Sequence, residues 1–334
     1  MDYSILIGGE AGQGMDTFGS LLEKSLKRCG FYVFSYSDYM SRIRGGHNFV
    51  QIRFSDEPVY AHESKVDMIF ALSDETVDIH SSKLKSEGMI ICDEEVAKDK
   101  KVSHFPMTKV SKELENPRVY TSVGLGIIFK FFGLPSGVAE EVIEETFNEK
   151  IAELNIKALR SGYDMIETTH KLRQFKDKNI ILNGSEAVAL GAIAAGCRFY
   201  CGYPMTPSTG VMTYLASKSN EMEIVVEQVE DEVAALNMAL GASYAGVRSM
   251  TGSSGGGFAL MVEALSLAGM IETPVVIVDA QRPAPATGLP TRTEQADLRF
   301  AIHAGHGEFP RMVIALRDSE DAFYQTARAF NLAD

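Results

Sequence analysis

Cysteine is scarce: four in 334 residues, with no CxxC pair and no spacing with the seven histidines that suits zinc or an iron–sulfur cluster. Cys29, Cys92, Cys197 and Cys201 are therefore expected to pack as small hydrophobes, and any electron-carrying cluster would sit on another polypeptide. No apolar run approaches the roughly 20 residues needed to cross a bilayer. The start, MDYSILIGGEAGQG, has no basic segment ahead of its short apolar run, so no secretory leader is read there and a cytoplasmic location is expected. Basic charge is also in deficit. Lys and Arg number 32 against 45 Asp and Glu, and the net charge of -13 repels phosphate backbones and anionic membrane surfaces, which argues against a nucleic-acid role.

What is present is the make-up of a globular protein, 45% hydrophobic and 23% charged, with a length that suits two domains. The first half opens with a strand over residues 4–7, a glycine-rich turn (Gly8, Gly9, Gly12, Gly14) and a helical stretch over 16–29. Apolar, β-rich runs follow at 32–36, 49–54, 68–72 and 89–92, and a charged helical stretch over 139–159 closes an α/β unit. A polar stretch, HKLRQFKDKN over 170–179, separates this half from a second, giving domains 1–172 and 180–334.

The second half alternates strands (198–203, 223–226, 247–250, 274–279) with helices (after Pro207, 230–245, 258–270). That βα alternation with short connections predicts a largely parallel, doubly wound sheet whose ligands sit at the carboxyl ends of its strands. The chain stops at Asp334 after a helix-like stretch that would ordinarily feed another strand, as in a fragment or a processed subunit.

Two segments of the first half could meet an anion. Gly9, Gly12 and Gly14 lie between a strand and a helix, where glycines let backbone amides approach a phosphate. The spacing is not that of a dinucleotide fingerprint, so a tight turn competes with a nucleotide contact. In Arg42-Ile43-Arg44-Gly45-Gly46-His47-Asn48, two arginines beside flexible backbone suit phosphate geometry.

The second half says more. VAALNMALGASYAG, over 233–246, holds no charge and reads as a helix buried nearly all round. Glu230, Asp231 and Glu232 stand just before it. Carboxylates there can simply satisfy first-turn amides and the helix dipole. Glu232, however, lies four and eight residues before Leu236 and Leu240, on the flank of the apolar face, where a partly desolvated carboxylate can share a proton with a ring nitrogen. Tyr203-Pro204-Met205-Thr206-Pro207-Ser208 follows a strand, its prolines fixing the backbone and its hydroxyls preceding a helix for which Ser208 could be the N-cap. Thr251-Gly252-Ser253-Ser254-Gly255-Gly256-Gly257 is another strand-to-helix turn, whose glycines would let a ligand press on the backbone. A long loop over 286–295 carries Arg292 among threonines, either an ordinary surface arginine or a bidentate partner for a substrate carboxylate.

Taken in order, GSEAVALGAIAAGC, YPMTPST, VEDEVAALNMALGASYAG, TGSSGGG, ATGLPTRTEQADL and HGEFPR resemble the pyrimidine domain of thiamine diphosphate-dependent 2-oxoacid:ferredoxin oxidoreductases. GGEAGQG and SRIRGGHNFVQIR are similar to that family's gamma domain, which its two-subunit members fuse ahead of the pyrimidine domain. The resemblance implies an α/β fold, a gamma-type domain followed by a doubly wound pyrimidine-binding domain. It implies that Glu232 activates the cofactor's aminopyrimidine ring, that Thr206 and Arg292 contact the 2-oxoacid, and that Tyr203, Pro204, Ser253, Ser254 and Gly255 join them around the cofactor. Gly12, Gly14, Arg44, Gly45 and Gly46 become candidate contacts for an anion such as coenzyme A.

Met205 stands where the family more often has isoleucine, and the chain lacks the GDG-type motif for magnesium and the diphosphate. Magnesium, the diphosphate site and a [4Fe-4S] cluster then fall to a beta subunit, with ferredoxin as electron acceptor and coenzyme A as co-substrate. The assembly would be a heterodimer or a dimer of heterodimers, inactive without the beta subunit. The gamma-first fusion and LPTRTEQADL favour 2-oxoglutarate by analogy. The alternatives are a nucleotide-binding module centred on residues 9–14, or a scaffold that kept the fold after losing catalysis.

Overall fold

The computed structural model describes residues 1–40, 45–98, 100, 102–176 and 180–334, which form two compact units, Met1–Ile181 and Leu182–Asp334. The first contains β1 (Asp2–Ala11), α1 (Met15–Arg28), β2 (Tyr32–Asp38), β3 (Gly45–Ser55), β4 (Val66–Ala71), α2 (Asp74–His80), β5 (Leu84–Asp93) and β6 (Ser103–Phe105). Four helices follow: α3 (Met107–Glu113), α4 (Tyr120–Phe131), α5 (Ser136–Thr146) and α6 (Glu149–Tyr163). The strands form one mixed sheet in the order β2-β3-β1-β4-β5-β6, antiparallel across β2, β3 and β1 and parallel from β1 to β6.

Its main core lies on one face, where Ile5, Ile7, Met68 and Phe70 of the sheet meet Phe18, Leu22, Val123, Ile127 and Leu159 of the helices. The helices α4 and α6 meet through reciprocal glycines. A Cβ on Gly126 would fall 2.0 Å from the Leu159 carbonyl oxygen, and one on Gly162 would fall 1.9 Å from that of Val123. Only hydrogen fits at either point.

Several expectations are corrected here. Gly8 and Gly9 belong to β1 and not to the turn after it, and both are forced by close packing. A Cβ on Gly8 would meet Thr76 Cγ2 at 2.5 Å, and one on Gly9 would meet Gln13 Oε1 at 2.4 Å. The helical stretch over 139–159 is interrupted, because the Asn148 side chain accepts from the Ile151 amide at 3.2 Å and caps a new helix, α6. The polar stretch after α6 reads as a linker, yet up to Phe175 it packs on the first unit: the Phe175 amide donates to the Cys29 carbonyl at 2.9 Å and its ring meets Phe31 edge-on.

The second unit contains α7 (Gly184–Ala194), β7 (Phe199–Gly202), α8 (Thr209–Met222), β8 (Val225–Gln228), α9 (Glu232–Tyr244) and β9 (Ser249–Ser253). It ends with α10 (Gly255–Leu260), α11 (Val262–Met270), β10 (Val276–Asp279), α12 (Leu298–His303) and α13 (Ser319–Ala333). A reciprocal capping box, Asn183 with Glu186, starts α7. All four strands run parallel in the order β10-β9-β7-β8. Val188, Val211, Leu215, Met250 and Phe330 form the core on the α7, α8 and α13 side, while Leu236, Leu240, Phe258, Met261 and Ala264 form it on the other. The sheet is thus wound on both faces.

The helix read over 258–270 is two, because the Met261 amide turns back to Phe258 at 3.0 Å in a tight turn between α10 and α11. The expectation that α9 is buried nearly all round also fails within this chain: Glu232, Ala235, Leu236, Ala239 and Leu240 are buried, but Val233, Asn237, Met238, Gly241 and Tyr244 face outward. No helix among the described residues is long and apolar enough to cross a membrane.

Candidate active site

In a doubly wound sheet the natural cleft lies where neighbouring strands send their helices to opposite faces, outside the strands' carboxyl ends. Here that point falls between β7 and β9: α8 follows β7 onto one face, and α10 follows β9 onto the other. The Tyr203–Ser208 loop leaves β7 and the Ser253–Gly257 turn leaves β9, so the topology brings together two motifs about 50 residues apart in sequence. They touch through sulfur, since the Ser254 hydroxyl donates to Met205 Sδ at 2.9 Å.

Glu232 enters the same point from α9. Asp231, not Glu232, caps this helix, accepting from the Ala234 amide at 2.7 Å, and this leaves the Glu232 carboxylate for another task. Glu232 is 2% exposed, and its Oε1 accepts from the Ser253 hydroxyl at 2.9 Å. A buried carboxylate needs such a donor. Gly257 is required for this arrangement, because a Cβ there would lie 2.0 Å from Ser253 Oγ and 2.3 Å from Glu232 Oε1. Gly255 makes room in turn for the Asp297 carboxylate, 2.2 Å from where its Cβ would be. The glycine run therefore accommodates the protein's own acids, and only Gly256 faces open space.

The remaining residues singled out in the second unit are placed as follows. Thr206 is half-buried, and its carbonyl accepts from Arg282 Nη1 at 2.8 Å. Tyr203 and Pro204 are exposed beside it, and Ser253 and Ser254 are buried. Ser208 stands at the start of α8 but makes no capping bond. Arg292 is half-buried in the loop between β10 and α12, its amide bonded to the Leu289 carbonyl at 3.2 Å. Glu232, Ser253, Ser254, Met205 and Thr206 thus belong to one connected cluster, and Arg292 lies on the loop that follows β10.

Three residues of this cluster escaped the sequence reading. Arg282, 7% exposed, ties the Thr206 carbonyl to the Thr287 hydroxyl. Asp279 ends β10 with its carboxyl pushed up to about 6, by burial and by the charge of Asp297, the third residue. An acidic residue closing the apolar run VVIVD, and an arginine three positions on, were the available signals.

In the first unit, Gly12 and Gly14 form the turn from β1 to α1 with φ of 95° and 80°, and Gly46 has φ of 71° on β3 next to Gly45. Arg42 and Arg44 lie outside the described residues. The four cysteines are buried, and burial pushes the thiols of Cys29, Cys92 and Cys197 to about 11 and that of Cys201 to about 12.

Two family models cover this architecture. "Pyruvate ferredoxin/flavodoxin oxidoreductase" matches residues 4–165, and "pyruvate flavodoxin/ferredoxin oxidoreductase, thiamine diP-bdg" matches 190–334. The chain belongs to this family of 2-oxoacid:ferredoxin oxidoreductases. Over its whole length it is 34% identical to the alpha subunit of 2-oxoacid:ferredoxin oxidoreductase from Sulfolobus sp, of which it covers 63%. Residues making up 46% of the chain are 44% identical to 2-oxoglutarate synthase subunit KorA of Methanothermobacter marburgensis, covering 41% of it. The whole chain also superimposes on 2-oxoglutarate:ferredoxin oxidoreductase of Magnetococcus marinus, solved with 2-oxoglutarate, coenzyme A and succinyl-CoA bound, with TM-score 0.91, 33% identity and 61% of that chain covered. The chain therefore spans less than two thirds of the length of the alpha subunit and of the solved structure.

Proposed function

We propose that this chain is the cofactor-activating and substrate-gripping subunit of a thiamine diphosphate-dependent 2-oxoacid:ferredoxin oxidoreductase, a gamma-type domain joined to a pyrimidine-binding domain. The observation that carries this is the buried Glu232 carboxylate, held by Ser253 at the switch point of the second sheet. That set of groups fits an aminopyrimidine: a buried carboxylate can hydrogen-bond a ring N–H, and the exposed Tyr203-Pro204 rim offers apolar surface beside it. Bound there, thiamine diphosphate would supply a carbon nucleophile that takes up and decarboxylates a 2-oxoacid. Thr206, its carbonyl fixed by Arg282, would orient the substrate, and Arg292 would pair with its carboxylate.

In this reading a beta subunit brings magnesium, the diphosphate contacts and an iron–sulfur cluster. Ferredoxin takes the electrons and coenzyme A takes the acyl group. The uncharged outward face of α9, with Val233, Met238 and Tyr244, offers that partner an apolar surface. The relatives' names favour 2-oxoglutarate as substrate.

The test is reconstitution with the beta partner and an assay of 2-oxoacid- and coenzyme A-dependent reduction of a low-potential dye. Reduction with 2-oxoglutarate is expected, and Glu232→Gln should lower turnover by about 10³-fold. Full activity in that variant, or no reduction with any 2-oxoacid, would overturn the reading.

A further inference from the structure

Asp279 and Ser253 are partners in the parallel register of β10 and β9. Side chains at paired positions share a face of the sheet, so Asp279 enters the layer in which Ser253 meets Glu232. Both Asp279 oxygens are closed to solvent and have no hydrogen-bond partner among the described residues. An ionised carboxylate without donors is costly to bury, whereas the acid form carries a donor of its own. The charge that acts on it is that of Asp297, at the start of α12; Arg282, three residues on, is committed to Thr206 and Thr287.

Asp279 and Asp297 flank the loop that carries Arg292. The Gln281 side chain donates to the Ala296 carbonyl across the loop's base, and Asp297 adopts a left-handed conformation, φ 61°, with its carboxylate seated on Gly255. The loop is thus anchored at its stem to the turn that also seats Glu232.

We infer that Asp279 is a positioning residue for the 2-oxoacid: neutral, it lets Asp297 stay seated on Gly255 and keeps the Arg292 loop closed, and ionised, it repels Asp297 and releases that loop. The substrate part of this inference rests on the function proposed above. The seating of Asp297 does not.

Two measurements test it. In the reconstituted complex, the wild-type KM for the 2-oxoacid should rise about tenfold between about pH 6 and about pH 8 with a smaller change in kcat, while Asp279→Asn, neutral throughout, keeps a low KM. Asp297→Asn should move the wild-type inflection to lower pH. A KM profile in Asp279→Asn that follows the wild type would overturn the inference.

The second measurement needs no activity. A carboxyl whose folded pKa lies above its unfolded value stabilises the fold fully at low pH and loses that contribution as pH rises through about 6. Asp279→Asn in this chain should therefore raise the unfolding midpoint more at about pH 8 than at about pH 5. Equal differences at the two pH values would also overturn it. If the complex shows no 2-oxoacid chemistry at all, the proposed function fails, and melting still decides whether the fold holds Asp279 neutral.

Discussion

In the first unit an apolar cluster runs from Ile5 on β1 to Leu159 on α6, and large apolar side chains reach the surface only here and there, as at Tyr60 and Ile79. In the second, the core is divided between the two faces of a four-stranded sheet, and Val233, Met238, Tyr244, Leu260, Met270 and Leu298 all remain exposed. Glycine is used differently too. Gly126 and Gly162 let two helix backbones touch, whereas Gly255 and Gly257 make room for carboxylates. The first unit closes on itself, and the second keeps an uncovered apolar face next to its buried acid. The uncharged face of α9 is thus the face that its own unit leaves uncovered.

The sharpest way to break this comparison is at the glycines. Gly162→Ala sets a methyl against a backbone carbonyl that cannot move alone, so it should cost the first unit about 3 kcal/mol or more in chemical denaturation. The atoms nearest the methyl of Gly257→Ala are side-chain atoms of Ser253 and Glu232. It should displace Glu232 and Ser253 and lower turnover of the reconstituted complex about 10²-fold, while costing stability less than Gly162→Ala does. Comparable unfolding costs at the two sites would remove the distinction.

Next in size is the exposed face of α9. Met238→Asp should leave the unfolding of this chain within about 0.5 kcal/mol of wild type but weaken assembly with the beta subunit by about 2 kcal/mol, read by titration of the two subunits. Tyr60→Asp, at an exposed site of the first unit, is the control and should change neither. Unaltered assembly in Met238→Asp would show that the apolar face has another use.

The smallest effect is in pH, and its sign differs between the units. His80 is 1% exposed, its Nε2 lies 2.7 Å from that of His47, and burial, with Lys83 and His47 nearby, pulls its pKa down to about 4. The fold thus favours neutral His80. Its contribution is complete above the unfolded value near 6.5 and is lost as pH falls towards about 4. Asp279 in the second unit loses its contribution as pH rises. Hydrogen exchange followed separately in the two units should show the first weakening in acid, and His80→Gln should flatten that response.

Much of this was legible in the sequence because it is written locally. The βα alternation announced the parallel second sheet, and Glu232, four and eight residues before Leu236 and Leu240, was recognisable as a carboxylate beside the buried side of α9. The YPMTPS and TGSSGGG motifs could be placed at strand ends for the same reason. Less visible were the breaks at Asn148 and Met261, where a single cap or turn overrides a continuous helical pattern. Least legible were the roles of Asp279, Asp297 and Arg282, whose surroundings are made by strands and loops distant in the chain.

The sequence by itself determined most of the elements, where carboxylates precede helices, and that α9 carries no charge after Glu232, since propensity, capping and apolar periodicity act over a few residues. Only the tertiary structure decided that half of α9 lies uncovered, that two of the three glycines after Ser254 seat Glu232 and Asp297, and that Asp279 is closed off without a donor. Burial, register and the charge a residue feels are set by whichever segments arrive around it, and a strand's neighbours are not its neighbours in sequence.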